Sequence, residues 1–136
     1  LYAVKLGATT IWERWNSVLA DGSLSGTGMN SLNHYAYGSI VAWLYRDVAG
    51  LTPLAPGFRE ALLAPHTHPN LKKARAEYAS ASGTWRVMWE LQDNGNVHYS
   101  CTVPFGCTAQ LQLPDSDIRK TLFAGSYEWT YSPVKA

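Results

Sequence analysis

Trp85-Arg86-Val87-Met88-Trp89-Glu90-Leu91, then Gln92-Asp93-Asn94-Gly95-Asn96, then Val97-His98-Tyr99-Ser100-Cys101-Thr102-Val103, is the stretch that decides the fold. Apolar side chains fall on every second position of both flanks. Successive residues of a strand point to opposite faces, so this is the pattern of two half-buried strands. Asp93-Asn94-Gly95-Asn96 supplies the hairpin turn, with Gly95 free to take a positive φ. Further on, Pro104-Phe105-Gly106 turns the chain again. Cys107, Ala109, Leu111 and Leu113 then alternate with Thr108, Gln110 and Gln112, and Tyr127, Trp129 and Tyr131 with Glu128 and Thr130. Arg59 to Ala64 and Leu71 to Ser80 are further strand candidates. The second also suits a helix through Lys72-Lys73-Ala74-Arg75-Ala76-Glu77, and the neighbouring strands tip it to β. Short alternating strands with closely spaced turns predict an antiparallel β-sandwich over 53–136.

Upstream of Pro53-Leu54-Ala55-Pro56-Gly57 the period changes. Between Ser31 and Leu51, the residues Tyr37, Ile40, Val41, Leu44, Tyr45 and Val48 recur at spacings of three and four, which places them on one face of a helix. Asn30, Ser31 or Asn33 is expected to cap its start. Gly50 is expected at its left-handed end, and Pro53 prevents continuation. Leu1 to Leu6 reads as the tail of another helix ended by Gly7, and Asp21 to Gly28 as a loop. One good helix and a long loop have nothing to bury an apolar face against. The segment 1–52 is therefore expected to pack on the sandwich, on another chain or on a region outside this sequence. The start at Leu1 rather than Met suggests a fragment.

Composition removes several classes. The 136 residues are 46% hydrophobic and 15% charged, against about 25% charged in an average chain, so disorder is not expected. Eleven Lys and Arg against ten Asp and Glu give a formal charge of +1. A phosphate-tracking surface needs a basic excess, so no nucleic-acid partner is expected. No apolar run approaches the roughly 18 residues of a membrane span, and no membrane partner is expected. Two cysteines exclude a disulfide-dense scaffold and a four-Cys zinc site, and suit either cytoplasm or periplasm. Cys101 and Cys107 share a strand parity across the Pro104–Gly106 turn. They read as two buried thiols in preference to a disulfide across a hairpin. Six Trp, eight Tyr and three Phe suit either a core or a surface on which sugars stack.

The chemistry concentrates in Gly7-Ala8-Thr9-Thr10-Ile11-Trp12-Glu13-Arg14-Trp15-Asn16. A carboxylate between two indoles suits carbohydrate chemistry. Apolar rings raise a carboxyl pKa, and a neighbouring Arg14 lowers it. An inverting glycosidase needs one carboxylic acid and one carboxylate base, roughly 6.5–9.5 Å apart, and Glu13 fits either role. The plainer alternative is a Glu13–Arg14 surface pair beside two packing tryptophans. His34, in Ser31-Leu32-Asn33-His34-Tyr35-Ala36-Tyr37-Gly38, is placed to meet a sugar hydroxyl or to act as a capping or core histidine. His66-Thr67-His68 lacks a companion carboxylate or thiol in sequence, so no metal and no cofactor are expected.

The runs Gly-Ala-Thr-Thr-Ile-Trp-Glu-Arg-Trp-Asn at 7–16 and Ser-Leu-Asn-His-Tyr-Ala-Tyr-Gly-Ser at 31–39 resemble signatures of bacterial α-L-rhamnosidases of glycoside hydrolase family 78. Ala55-Pro56-Gly57-Phe58-Arg59, with Ala64-Pro65-His66, resembles the start of that family's C-terminal β-sandwich. The resemblance implies a mixed fold: N-terminal helices from the end of an α/α barrel over 1–52, followed by the antiparallel sandwich over 53–136. It implies an inverting hydrolase acting on rhamnose-containing glycosides, with Glu13 as general base and His34 contacting the bound rhamnose. The family's general acid lies upstream, on a stretch this chain lacks. The expected partner is therefore the missing upstream barrel of the same protein, and the chain alone is expected to be inactive. Two other readings stand beside this one. The sandwich is a non-catalytic module that buttresses the barrel or binds carbohydrate, or the chain covers its orphan helix by forming a homodimer.

Overall fold

The computed structural model describes residues 2–26 and 28–134. Leu1 and Thr27, which fall in the expected first helix and loop, lie outside the described residues, as do the last two. The chain divides into two compact units, 1–42 and 43–136.

The second unit carries eight strands: β1 (Leu51–Pro53), β2 (Glu60–Leu63), β3 (Lys73–Ser80), β4 (Gly83–Leu91), β5 (Val97–Val103), β6 (Thr108–Gln112), β7 (Arg119–Leu122) and β8 (Gly125–Tyr131). They form two four-stranded sheets, ordered β1-β2-β6-β7 and β3-β4-β5-β8. The deciding stretch pairs as read, with Trp89 opposite Tyr99 and Val87 opposite Cys101. Gly95 turns the chain with φ 85°, and the Asn94 side chain accepts the Asn96 N–H at 2.9 Å. Lys73–Ser80 is a strand, paired with β4 along its whole length.

Alternation becomes burial in the core. Trp85, Val87 and Trp89 of β4, Val97, Tyr99 and Val103 of β5, and Leu63 and Leu111 of the other sheet are each almost wholly buried. Residues of both sheets join in one apolar cluster, with Tyr127 and Trp129 packed against it. The aromatic stripe of β8 is therefore core material, not an exposed platform. Trp89 also donates its indole N–H to the Val48 carbonyl at 2.8 Å.

Three features depart from the sequence reading. The β2–β6 pairing is parallel, in an otherwise antiparallel set. The chain leaves β2, builds three strands of the opposite sheet, and returns beside β2 in the same direction. The Pro104–Gly106 turn accordingly carries the chain from one sheet to the other and is not a hairpin, while Cys101 and Cys107 are free, buried thiols, as the sequence reading favoured. Strands β1 and β7 also carry little sequence signal. Pro53 ends β1, where an edge strand tolerates its missing N–H, and Leu122 is the one buried residue of β7.

The expected long helix is helical from Tyr35 to Val48, but in three unlike turns. A 3₁₀ turn spans Tyr35–Ser39, an α turn Ile40–Trp43 and a π turn Leu44–Val48. The residue before its first turn is His34, which makes no side-chain cap, so none of Asn30, Ser31 and Asn33 caps it. Ser31 instead accepts the Asn33 N–H at 3.2 Å. The π turn ends in a hydrogen bond from Ala49 N–H to the Leu44 carbonyl at 2.9 Å, and Gly50 follows with φ 74°.

The first unit holds a short helix, Tyr2–Lys5, then extended segments and turns. In the loop, Asp21 accepts hydrogen bonds from the Ser23 N–H at 2.9 Å and hydroxyl at 2.6 Å, which hold its carboxyl below the usual range. Among the described residues of 1–42, Trp12 is the one large apolar side chain that is buried.

The sandwich interior makes a pH prediction. Burial pushes the Cys101 thiol up to about 12 and the Tyr131 phenol up to about 12, and holds Tyr99 well above its usual value. The unfolded chain releases these protons from about pH 8.5 for the thiol and about pH 10 for the phenols. The groups are thus protonated longer in the folded state, and stability is full below about pH 8.5. It is expected to fall between about pH 9 and 12, by on the order of 1 kcal/mol per pH unit. Urea midpoints measured from pH 8 to 11 check this, and a flat series contradicts it.

Candidate functional site

The two motifs singled out in sequence lie side by side in the first unit, stitched by backbone. Glu13 N–H donates to the Ser31 carbonyl at 2.9 Å, and His34 N–H donates to the Ile11 carbonyl at 2.7 Å. The Thr10 hydroxyl donates to the Leu32 carbonyl. Gly38 lets the second segment approach the first. A Cβ there would stand 3.0 Å from the Ile11 Cδ1 and from the Tyr35 ring.

This pairing fixes the Glu13 side chain. Its Oε2 accepts the Ser31 N–H at 2.8 Å and lies 3.9 Å from His34 Nδ1. The Glu13 side chain is 17% exposed and that of His34 45%. The carboxylate is held at one oxygen, and among the described residues Oε1 makes no hydrogen bond. A carboxylate oriented through one oxygen, with the other available, is the form a general base takes. No Glu13–Arg14 ion pair forms among the described residues. Arg14 is instead engaged through its backbone, where its N–H donates to the Ser17 hydroxyl at 3.2 Å.

The flanking indoles separate. Trp12 is buried; Trp15 is exposed and stacks on Tyr37, with ring centroids 5.0 Å apart. Sequence reading missed this stack, because the two rings come from different motifs. It also missed Ser31 as the group that orients Glu13, since a backbone N–H leaves no mark on residue type. In the second unit, His66 Nδ1 lies 4.0 Å from the Asp47 carboxylate, while His68 Nδ1 accepts the Asn70 N–H at 3.2 Å. The two imidazoles of the His-Thr-His run thus have separate partners, and Asp47 is a companion carboxylate that the sequence did not reveal.

Comparison with known proteins bears on this pair of motifs. Residues 1–48 match the family model of the bacterial α-L-rhamnosidase 6-hairpin glycosidase domain. Residues 50–122 match that of the bacterial α-L-rhamnosidase C-terminal domain. The chain belongs to the bacterial α-L-rhamnosidase family. An α-L-rhamnosidase of Streptomyces avermitilis is 39% identical over 113 residues, which cover 83% of this chain and 11% of that protein. One from Alteromonas sp. strain LOR is 41% identical over 113 residues, 83% of this chain and 12% of that protein. The chain thus spans about a ninth of the length of these rhamnosidases. Among solved structures, native α-L-rhamnosidase from Aspergillus terreus superposes with a TM-score of 0.84 at 32% identity, covering 98% of this chain and 16% of that one. The S. avermitilis α-L-rhamnosidase complexed with L-rhamnose superposes with a TM-score of 0.78 at 32% identity, covering 96% of this chain and 14% of that one. These rhamnosidase structures carry the same fold over nearly the whole chain.

Proposed function

We propose that this chain is the C-terminal part of an inverting α-L-rhamnosidase, with 1–52 closing a helical catalytic barrel and 53–136 forming its sandwich. The observation that carries the reading is the Glu13 carboxylate, held by the Ser31 N–H with His34 3.9 Å away, in a chain of this family. Glu13 takes a proton from a water as that water attacks the anomeric carbon of a terminal rhamnose. The new C–O bond forms opposite the bond that breaks, and the leaving oxygen takes its proton from an acid on the upstream barrel. His34 donates to a rhamnose hydroxyl. The substrates are rhamnose-containing glycosides.

The sandwich serves as a buttress. Its aromatic side chains Trp85, Trp89 and Tyr99 are wholly buried and Trp129 packs on the same cluster, which leaves few rings free for sugar stacking and favours support over carbohydrate binding.

A comparison of the chain alone with the chain joined to its upstream barrel tests the reading on an aryl α-L-rhamnoside. The chain alone is expected to leave the substrate intact, because a base without its acid cannot complete the displacement. The joined protein is expected to release β-L-rhamnose first, which NMR detects before mutarotation. Turnover by the chain alone, or release of α-L-rhamnose first, overturns the proposal.

A further inference from the structure

Thr10 belongs to the same motif as Glu13, and the proposed reaction gives it no role. Its hydroxyl donates to the Leu32 carbonyl. Two backbone bonds flank this contact along 31–34. The Glu13 N–H donates to the Ser31 carbonyl at 2.9 Å, and the His34 N–H donates to the Ile11 carbonyl at 2.7 Å. The Leu32 carbonyl lies between those anchors. Backbone groups of most residue types can make the flanking bonds, whereas the contact between them needs a hydroxyl at position 10. Both partners of each bond lie in this chain, so the contacts are complete without the upstream barrel.

Glu13 depends on how the 31–34 segment is held. Its Oε2 accepts the Ser31 N–H at 2.8 Å, so the aim of the carboxylate follows the direction of that N–H. The bond from Glu13 N–H to the Ser31 carbonyl is one attachment, and a segment can swing about one attachment. A second attachment one residue further on removes the swing. The His34 anchor cannot do this alone, because three residues of chain separate it from Ser31. A group that must meet a reacting water in one geometry gains from neighbours that fix its supports.

We propose that Thr10 is a positioning residue for Glu13: its hydroxyl, bonded to the Leu32 carbonyl, holds the segment whose Ser31 N–H aims the carboxylate. This inference rests on Glu13 being the general base.

The test uses the protein that joins this chain to its upstream barrel, with an aryl α-L-rhamnoside as substrate. Thr10→Val keeps the side-chain shape and removes the hydroxyl. It is expected to lower kcat about tenfold, with KM changed by no more than about twofold. Thr10→Ser restores the hydroxyl and is expected to recover most of the loss. A loss in Thr10→Ser as large as in Thr10→Val overturns the proposal, as does a parental kcat in Thr10→Val. The Glu13→Ala background gives a readout that a merely structural role would not produce. Azide attacks the anomeric carbon there without losing a proton. The new C–N bond forms as the glycosidic C–O bond breaks and the upstream acid protonates the leaving oxygen. With no carboxylate to aim, adding Thr10→Val is expected to leave both the azide-supported turnover and the residual turnover with water unchanged. A tenfold loss in that background overturns the proposal, since Thr10 then serves the fold or the rhamnose. Near-parental turnover in Glu13→Gln refutes the base assignment and this inference with it, whereas an inactive Glu13→Gln beside a parental Thr10→Val refutes the role of Thr10 alone.

Discussion

If the proposed function holds, replacing Glu13 with Gln in the protein that joins this chain to its upstream barrel is expected to lower the turnover of an α-L-rhamnoside by a factor of about 10²–10⁴, the usual loss on removing a general base. The variant suits the question because it changes little else. The side-chain amide keeps an oxygen to accept the Ser31 N–H, which now donates to Oε2 at 2.8 Å, so the backbone pairing between the two motifs persists. What disappears is the capacity to take a proton from water, together with the negative charge 3.9 Å from His34. Because the lost interaction belongs to the transition state, kcat and kcat/KM should fall together, with KM little moved. Glu13→Ala offers a second reading. Azide needs no deprotonation and can attack the anomeric carbon as the glycosidic C–O bond breaks and the upstream acid protonates the leaving oxygen. Added azide should restore turnover in Glu13→Ala and yield the β-L-rhamnosyl azide. Near-wild-type turnover in Glu13→Gln would remove Glu13 from the mechanism.

Gly50→Ala is expected to destabilise the second unit by about 4 kcal/mol, a severe effect for a domain whose total stability is of order 5–15 kcal/mol. Two independent costs add. Gly50 holds φ 74°, where a side chain costs roughly 1–2 kcal/mol. In addition, a Cβ at this position would stand 2.1 Å from the Pro65 nitrogen and 2.4 Å from the Ala64 carbonyl carbon. These are backbone atoms, and they cannot rotate away as a side chain would. The Ala64 N–H donates to the Gly50 carbonyl at 2.9 Å, and β1 pairs with β2 immediately beyond, Leu51 opposite Leu63. Relieving the overlap therefore opens the β1–β2 pairing. Urea unfolding followed by far-UV circular dichroism measures the loss; a midpoint within experimental scatter of the parent chain would show that this contact yields easily.

How far the sequence carried the fold depended on whether a residue's role lay in its own type. The β4–β5 hairpin was legible because Trp85, Val87, Trp89, Tyr99 and Val103 are large, alternate and end inside. Gly50 was legible because its chain position demands a positive φ. The parallel return of β6 beside β2 was not, since alternation reports which face a residue takes and never which strand lies next to it. Strand β7, Arg119-Lys120-Thr121-Leu122, hides because three of its four residues are exposed. In the candidate site, Glu13 and His34 stood out as residue types and by their resemblance to family signatures. Their support did not: the Ser31 N–H is present at any non-proline position, and the Trp15–Tyr37 stack joins residues far apart in sequence. The helix was legible as helix from its apolar spacing, but not in its 3₁₀-to-π composition, which depends on local hydrogen bonding that spacing does not encode.

The parallel β2–β6 pairing has a consequence for how this polypeptide is born. Strand β2 ends at Leu63 and its neighbour β6 begins at Thr108, about 45 residues later. At roughly 5–20 residues per second of synthesis, β2 waits several seconds with one edge unpaired while β3, β4 and β5 are made. Those three strands close among themselves by local hairpins, but the sheet that opposes their apolar inner faces is only half built, as the β1–β2 pair, until β6 arrives. Distant pairings of this kind slow folding. The nascent sandwich thus passes through an interval in which an open edge and a half-covered apolar face coexist, and in that interval its chief competitor is association with other unfinished chains.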